Sequence, residues 1–127
     1  MNLYSRGNDL PFLITVKDNA GVAIDIDDLE NIIISVYSNK NKVVLDKFSI
    51  VAKEGYNEIT VENSAEGIVK IIIGHDKTIN AELEEYVFEI RIEEADVEYP
   101  DGIKYTTSKG ILGKFVDVKI KTLPAIS

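Results

Sequence analysis

The chain has 127 residues, a net charge of −8, 45% apolar residues and no cysteine. These totals exclude a disulfide framework or zinc–thiolate site and argue against disorder. They also disfavour nucleic acid and anionic membrane as partners, because phosphate binding needs clustered Lys and Arg.

In chain order, Met1-Asn2-Leu3-Tyr4-Ser5-Arg6 lacks the basic start and apolar core of a signal peptide, so synthesis in the cytoplasm is expected. Phe12, Ile14 and Val16 then alternate with Leu13, Thr15 and Lys17, the period of a half-buried strand. Asp18 to Gly21 reads as a turn. Asp27-Asp28-Leu29-Glu30 suits one helical turn with an acidic start, capped by Asp27 or Asp28, and leads into a strand over 31–38. There Ile32, Ile34 and Val36 oppose Ile33, Ser35 and Tyr37. After a turn at Ser38 to Lys42, Val43 and Leu45 oppose Val44 and Asp46. Glu54-Gly55 is the next turn. Ile59 and Val61 oppose Thr60 and Glu62, Asn63 to Gly67 turns again, and Val69, Ile71 and Ile73 form another run.

Gly74 to Asp76 reads as a turn, and Thr78 is placed to cap a helical turn over 78–85. The clearest alternation follows, Tyr86, Phe88, Ile90 and Ile92 against Val87, Glu89, Arg91 and Glu93, with Phe88 and Ile90 expected in the core. Tyr99-Pro100-Asp101-Gly102 is a strong turn, since Pro fixes φ and Gly tolerates φ above zero. Residues 76–102 hold ten acids and two bases, whereas 103–127 hold five Lys and one Asp. The acidic strand 85–94 and a basic strand 103–109 are therefore expected to pair as a hairpin held by its apolar face. Lys109 to Gly113 reads as a further turn before Val116, Val118 and Ile120, which alternate with Asp117, Lys119 and Lys121. Residues 122–127 read as the exit tail of a single domain spanning 1–127. The longest apolar runs are three residues, too short to span a bilayer. Strands of this length and spacing give an all-β fold, an antiparallel sandwich or barrel of about seven to nine strands with at most one or two short helical turns.

No catalytic signature emerges. Asp25, Asp27, Asp28 and Glu30 offer hard oxygen ligands, but an EF-hand loop counted from Asp25 has Leu29 and Glu30 where it needs an oxygen ligand and a Gly. His75 is the only histidine, with no partner Cys or His nearby in the sequence, and reads as a surface-turn residue. Ser35, Ser38, Ser49, Ser64 and Ser108 lack a nucleophile-elbow sequence. Glu82, Glu84, Glu85, Glu89, Glu93 and Glu94 read as solvated strand and turn positions rather than a glycosidase pair. Gly110 and Gly113 lack the third glycine and the helix of a phosphate loop. Among the tyrosines, Tyr86 is expected inward, and Tyr37 and Tyr105 outward. The sequence assigns no catalytic, cofactor-binding or metal residue.

The start Gly7, Asp9, Pro11 and Phe12, the connector Asp18, Gly21 and Asp25, and the later Thr78, Tyr86, Phe88, Glu89 and Ile90 together resemble a known family. It is the immunoglobulin-like β-sandwich domains of phage tail and baseplate proteins, notably the N-terminal domain of baseplate upper proteins. The resemblance covers about residues 5–95 and rests on turn and core positions. It implies an immunoglobulin-like sandwich and a non-enzymatic structural or assembly role in a phage or prophage tail or baseplate. It implies no active site and no cofactor. The implied partners are other virion proteins or copies of the chain itself in a homo-oligomer or larger assembly. The implied location is the virion, or the cytoplasm for a prophage product. The alternative is a carbohydrate-binding or adhesion module of a bacterial cell-surface assembly, which a row of exposed aromatics would favour.

Overall fold

The computed structural model describes residues 2–117. The Val118 and Ile120 alternation and the exit tail 122–127 lie outside the described residues.

Among the described residues nine strands form: β1 (Leu3–Ser5), β2 (Leu10–Thr15), β3 (Asn31–Ser38), β4 (Val44–Ser49), β5 (Asn57–Glu58), β6 (Thr60–Asn63), β7 (Ile68–Ile73), β8 (Glu85–Ala95) and β9 (Ile103–Val116). The helical content is a 3-10 turn, Ile26–Asp28, and a four-residue turn α1, His75–Thr78. A six-stranded sheet, β1-β9-β8-β3-β4-β5, packs on a three-stranded one, β2-β7-β6. The fold is an all-β sandwich. Most neighbours are antiparallel, and the two outer pairs of the large sheet, β1–β9 and β4–β5, are parallel.

One core lies between the sheets. Ile32, Ile34 and Val36 of β3, Phe48 of β4 and Ile90 and Ile92 of β8 meet Val69, Ile71 and Ile73 of β7, and Phe12 and Ile14 of β2 close its side. The strand β3 sits mid-sheet, which is why its apolar run is nearly unbroken: Ile33 and Tyr37 on its outer face are buried as well. The expected hairpin forms. The strand β8 pairs antiparallel with β9 from Glu85↔Lys114 to Ala95↔Ile103, and Asp96 N donates to Gly102 O across the turn.

The connector from 18 to 28 is a structural corner. Asp18 Oδ1 accepts from Ala20 N and Val22 N at 2.9 and 3.0 Å. Further on, Val16 N donates to Gly67 O and Ile24 N to Val16 O. A Cβ on Gly67 would meet both Ile24 O and Val16 O at 2.7 Å, and its φ is +70°. Only glycine fits there.

Several expectations are corrected. The run Ile59–Val61 is not one strand. The chain crosses from the large sheet to the small one at Ile59, which is buried, while Val61 is exposed. In β4 the inward face carries Asp46 and Phe48, opposite Val36 and Ile34. Val43 is exposed and Leu45 only half-buried. A register shift at Val36/Tyr37 moves this face. The helical turn precedes Thr78 and ends on it. Its cap comes from a distant residue, Asp9, whose Oδ1 accepts from His75 N at 2.6 Å. The 3-10 turn is capped by Asp25, not Asp27 or Asp28. Lys109 to Gly113 is no turn, because β9 runs through it with only a bulge opposite Tyr86/Val87.

Candidate functional site

The large sheet extends beyond the small one on the β9 side, and this mismatch creates an apolar cleft. The cleft has a volume of about 650 Å³ and lies between the outer strand β2 and the pair β8–β9. Phe88, Ile90, Ile92 and Leu112 lie along it on the large sheet, and Phe12 and Ile14 on the small one. Exposed Leu13 and Ile111 stand at its rims.

Small residues on β9 keep the cleft open. Thr106, Ser108 and Gly110 lie opposite Ile92, Ile90 and Phe88. Ser108 is exposed although it shares the inward face. Phe88 is accordingly only half-buried, which corrects the expectation that it is a core residue, whereas Ile90 is buried. At one end Tyr4 closes the cleft. Its ring meets Phe12 edge-to-face at 5.3 Å, and its hydroxyl donates to Leu112 O at 3.1 Å.

The β9 backbone is a sheet edge for most of its length. Among the described residues, β1 is its one neighbour on that side and covers only Lys114–Val116. Among the described residues the stretch from Ile103 to Gly113 thus has no strand neighbour on that side, and apart from the Leu112 carbonyl taken by Tyr4 it presents backbone polar groups beside an apolar cleft, the arrangement that accepts an added strand.

Charge along this edge is ordered. Lys104, Lys109 and Lys114 sit opposite Glu94, Glu89 and Glu85. Lys109 Nζ approaches Glu89 to 3.8 Å. The neighbouring Tyr37 hydroxyl, and after it Glu89, hold the Lys109 ammonium above the usual lysine range.

The other acidic and histidine candidates lie apart from this cleft or on the outer face, with structural partners, and Ser38 and Ser49 are buried. Asp25 Oδ1 accepts from Asp27 N and from Ser64 Oγ, both at 3.0 Å, so the oxygen that would serve a metal caps a turn. Among the described residues no group of three or more His, Cys, Asp or Glu is placed to hold a metal ion. His75 Nδ1 lies 2.8 Å from Asp9 Oδ1 on the exposed surface. The backbone and side-chain hydrogen bonds from His75 lower the Asp9 pKa.

Glu82, Glu84 and Glu85 grip one turn, accepting from Asn41 Nδ2, Lys40 N and Asn39 Nδ2 respectively. Glu89 accepts from the Tyr37 hydroxyl, and Glu93 from Arg91. Tyr37 is buried rather than outward-exposed, with Lys42 and Lys109 over its ring at 5.8 and 5.9 Å. Tyr105 is exposed, with Arg91 over it at 5.0 Å.

Two features escape sequence reading. The cleft is hidden because Lys109 to Gly113 resembles a turn; the signal that β9 continues is the outward alternation Tyr105, Thr107, Lys109, Ile111 across Gly110. The second is Asp46, a buried carboxylate on the core face. Its Oδ1 accepts from Asn57 Nδ2 and Lys47 N at 2.8 and 2.9 Å, and its Oδ2 has no partner among the described residues.

No protein-family model matches the chain, and neither a curated protein nor a solved structure matches it. Among the described residues no helix is long and apolar enough to cross a membrane.

Proposed function

We propose that this protein is a non-catalytic structural or assembly component of a phage or prophage tail or baseplate, acting through protein–protein contacts. On this reading it resides in the virion, or in the cytoplasm as a prophage product, and its sandwich is of the immunoglobulin-like kind. The observation that carries the assembly reading is the long open β9 edge beside an apolar cleft. Such an edge is a template for pairing with another chain.

The resemblance supports the viral part. Several of its positions act together here: Thr78 Oγ1 accepts from Gly7 N and donates to Asn8 O, and Asp9 caps α1. The motif therefore marks one hydrogen-bonded corner that fixes where β2 begins.

The test is light scattering at micromolar concentration, together with co-purification from cells making the neighbouring gene products. An oligomer, or capture with tail components, is expected. A strictly monomeric protein that hydrolyses a glycoside or an ester would overturn this reading.

A further inference from the structure

Between Tyr105 and Ile111 the β9 edge lacks two of the usual protections against strand addition, a proline and an inward-pointing charge. From Ile103 to Val116 there is no proline, and the bulge comes only near Gly113. Beside the cleft the inward residues Thr106, Ser108 and Gly110 are small and uncharged, and the one inward charge, Lys104, stands at the start of the strand opposite Glu94. Natural edges are commonly closed by a proline, an inward-pointing charge or a covering loop.

The edge does carry charge of one sign. The stretch 103–116 has three lysines and no acid. Two copies of this edge brought together would gather lysines from both, and like charges facing across a ladder are destabilising. The chemistry of a suitable partner is written on the other side of the same strand. There β8 supplies alternate inward residues, Phe88, Ile90 and Ile92, and on its other face places Glu89 opposite Lys109.

We propose that the β9 edge and the adjoining cleft receive one extended acidic segment of a partner protein, with apolar residues at alternate positions and Glu or Asp between them. Its backbone pairs with Ile103–Gly113. Its apolar side chains enter the cleft beside Phe88 and Ile90, and its acids, on the opposite face of the strand, meet Lys109. The small inward side chains of β9 make the room, and Lys109 selects the sign of the partner. This deepens the assembly reading, on which it rests for the existence of such a partner.

The experiment titrates the full chain with a short synthetic peptide of alternating Glu and Val, and with its Lys-and-Val counterpart. Binding is followed by fluorescence anisotropy and by amide hydrogen exchange. The acidic peptide should bind saturably and slow exchange within Ile103–Gly113, and the basic peptide should bind at least about tenfold more weakly. Ser108→Lys, at an exposed position, should leave the melting temperature unchanged and abolish binding by placing a charge on the inward face. Lys109→Gln should weaken the acidic peptide alone. No slowed exchange, equal binding of both peptides, or binding that survives Ser108→Lys would each overturn the proposal. Slowed exchange that rises with protein concentration without peptide would overturn it in favour of a second copy. Peptide binding by a protein that never accompanies tail components would sink the viral reading and leave the edge site standing. Co-purification with tail components but no peptide binding would do the reverse.

Discussion

The ring of Phe88 occupies the space in which a side chain on Gly110 would stand. A Cβ there would come within 2.5 Å of Phe88 Cζ. The two residues are cross-strand neighbours in the β8–β9 ladder, so the aromatic covers a strand position that lacks a side chain of its own. Gly110→Ala should push the ring aside and cost about 1–3 kcal/mol, the usual range for overpacking. Phe88→Ala should cost less than the roughly 3–5 kcal/mol of a fully buried phenylalanine, because its ring is only half-buried. Phe48→Ala, at 1% exposure, should show the full penalty. Urea midpoints of the three variants test this order, and equal midpoints for the two phenylalanine variants would mean that the cleft is closed in solution.

Thr78 ties the start of β2 to α1. It is fully buried, accepts from Gly7 N at 3.0 Å and donates to Asn8 O at 2.7 Å. Thr78→Val keeps the shape and removes both bonds, leaving a buried donor and acceptor unmet. A loss of about 1–3 kcal/mol is expected in chemical denaturation. Thr107→Val, on an exposed stretch of β9, should change stability by under about 0.5 kcal/mol.

The strands themselves are legible in the sequence because alternation reports which face of a sheet meets the core. Tyr86, Ile90 and Ile92 show this, as does the hairpin that pairs an acidic run with a basic one. What stays hidden depends on the second sheet. Whether Phe88 is covered is decided by how far β2 reaches across β8, and no local pattern around Phe88 carries that. The cap of α1 is hidden for the same reason, since Asp9 and His75 lie 66 residues apart. At Ile59 a single apolar residue serves as the corner between two sheets, and alternation reads straight through it. Gly110 misleads because a glycine needed for a neighbouring ring looks like a glycine needed for a turn.

Asp46 makes stability depend on pH. Desolvation, the largest influence, raises its pKa above that of an ordinary aspartate, against the lowering effect of the hydrogen bond from Lys47 N. Nearby charges oppose each other, Lys77 lowering the value and Asp76 raising it. The folded state therefore holds this proton more tightly than the unfolded chain does. The resulting stabilisation is fully present below the unfolded pKa and is lost as pH rises through the folded one. Asp46→Asn removes that dependence. The stability of the variant relative to the parent should therefore improve as pH is raised from about 4 to about 7. Thermal melts across this range check the sign, and carbon-detected titration of the Asp46 carboxyl gives its midpoint directly. A midpoint at or below that of an ordinary aspartate would show that Oδ2 finds a partner in solution.

The charge ladder between β8 and β9 should contribute little to folding. Lys109 and Glu89 are 3.8 Å apart, with side chains 63% and 36% exposed, and solvent screens such pairs to about 0.2–1 kcal/mol. A double-mutant cycle with Lys109→Gln and Glu89→Gln should return a coupling in that range. The cycle is complicated by Tyr37, whose hydroxyl donates to Glu89 Oε2 at 3.2 Å. Removing the glutamate alone therefore also frees the tyrosine, and Tyr37→Phe in the same background separates the two contributions. Raising salt from about 0.05 to about 1 M shortens the screening length severalfold. It should erase most of the measured coupling while lowering the parent's melting temperature only slightly, because Ile90, Ile92 and Tyr86 hold the hairpin from its buried face. A coupling above about 2 kcal/mol, or a large loss of stability in high salt, would mean that the ladder rather than the apolar face fixes the register of β9. The open edge would then owe its position to charges that an acidic partner strand would disturb.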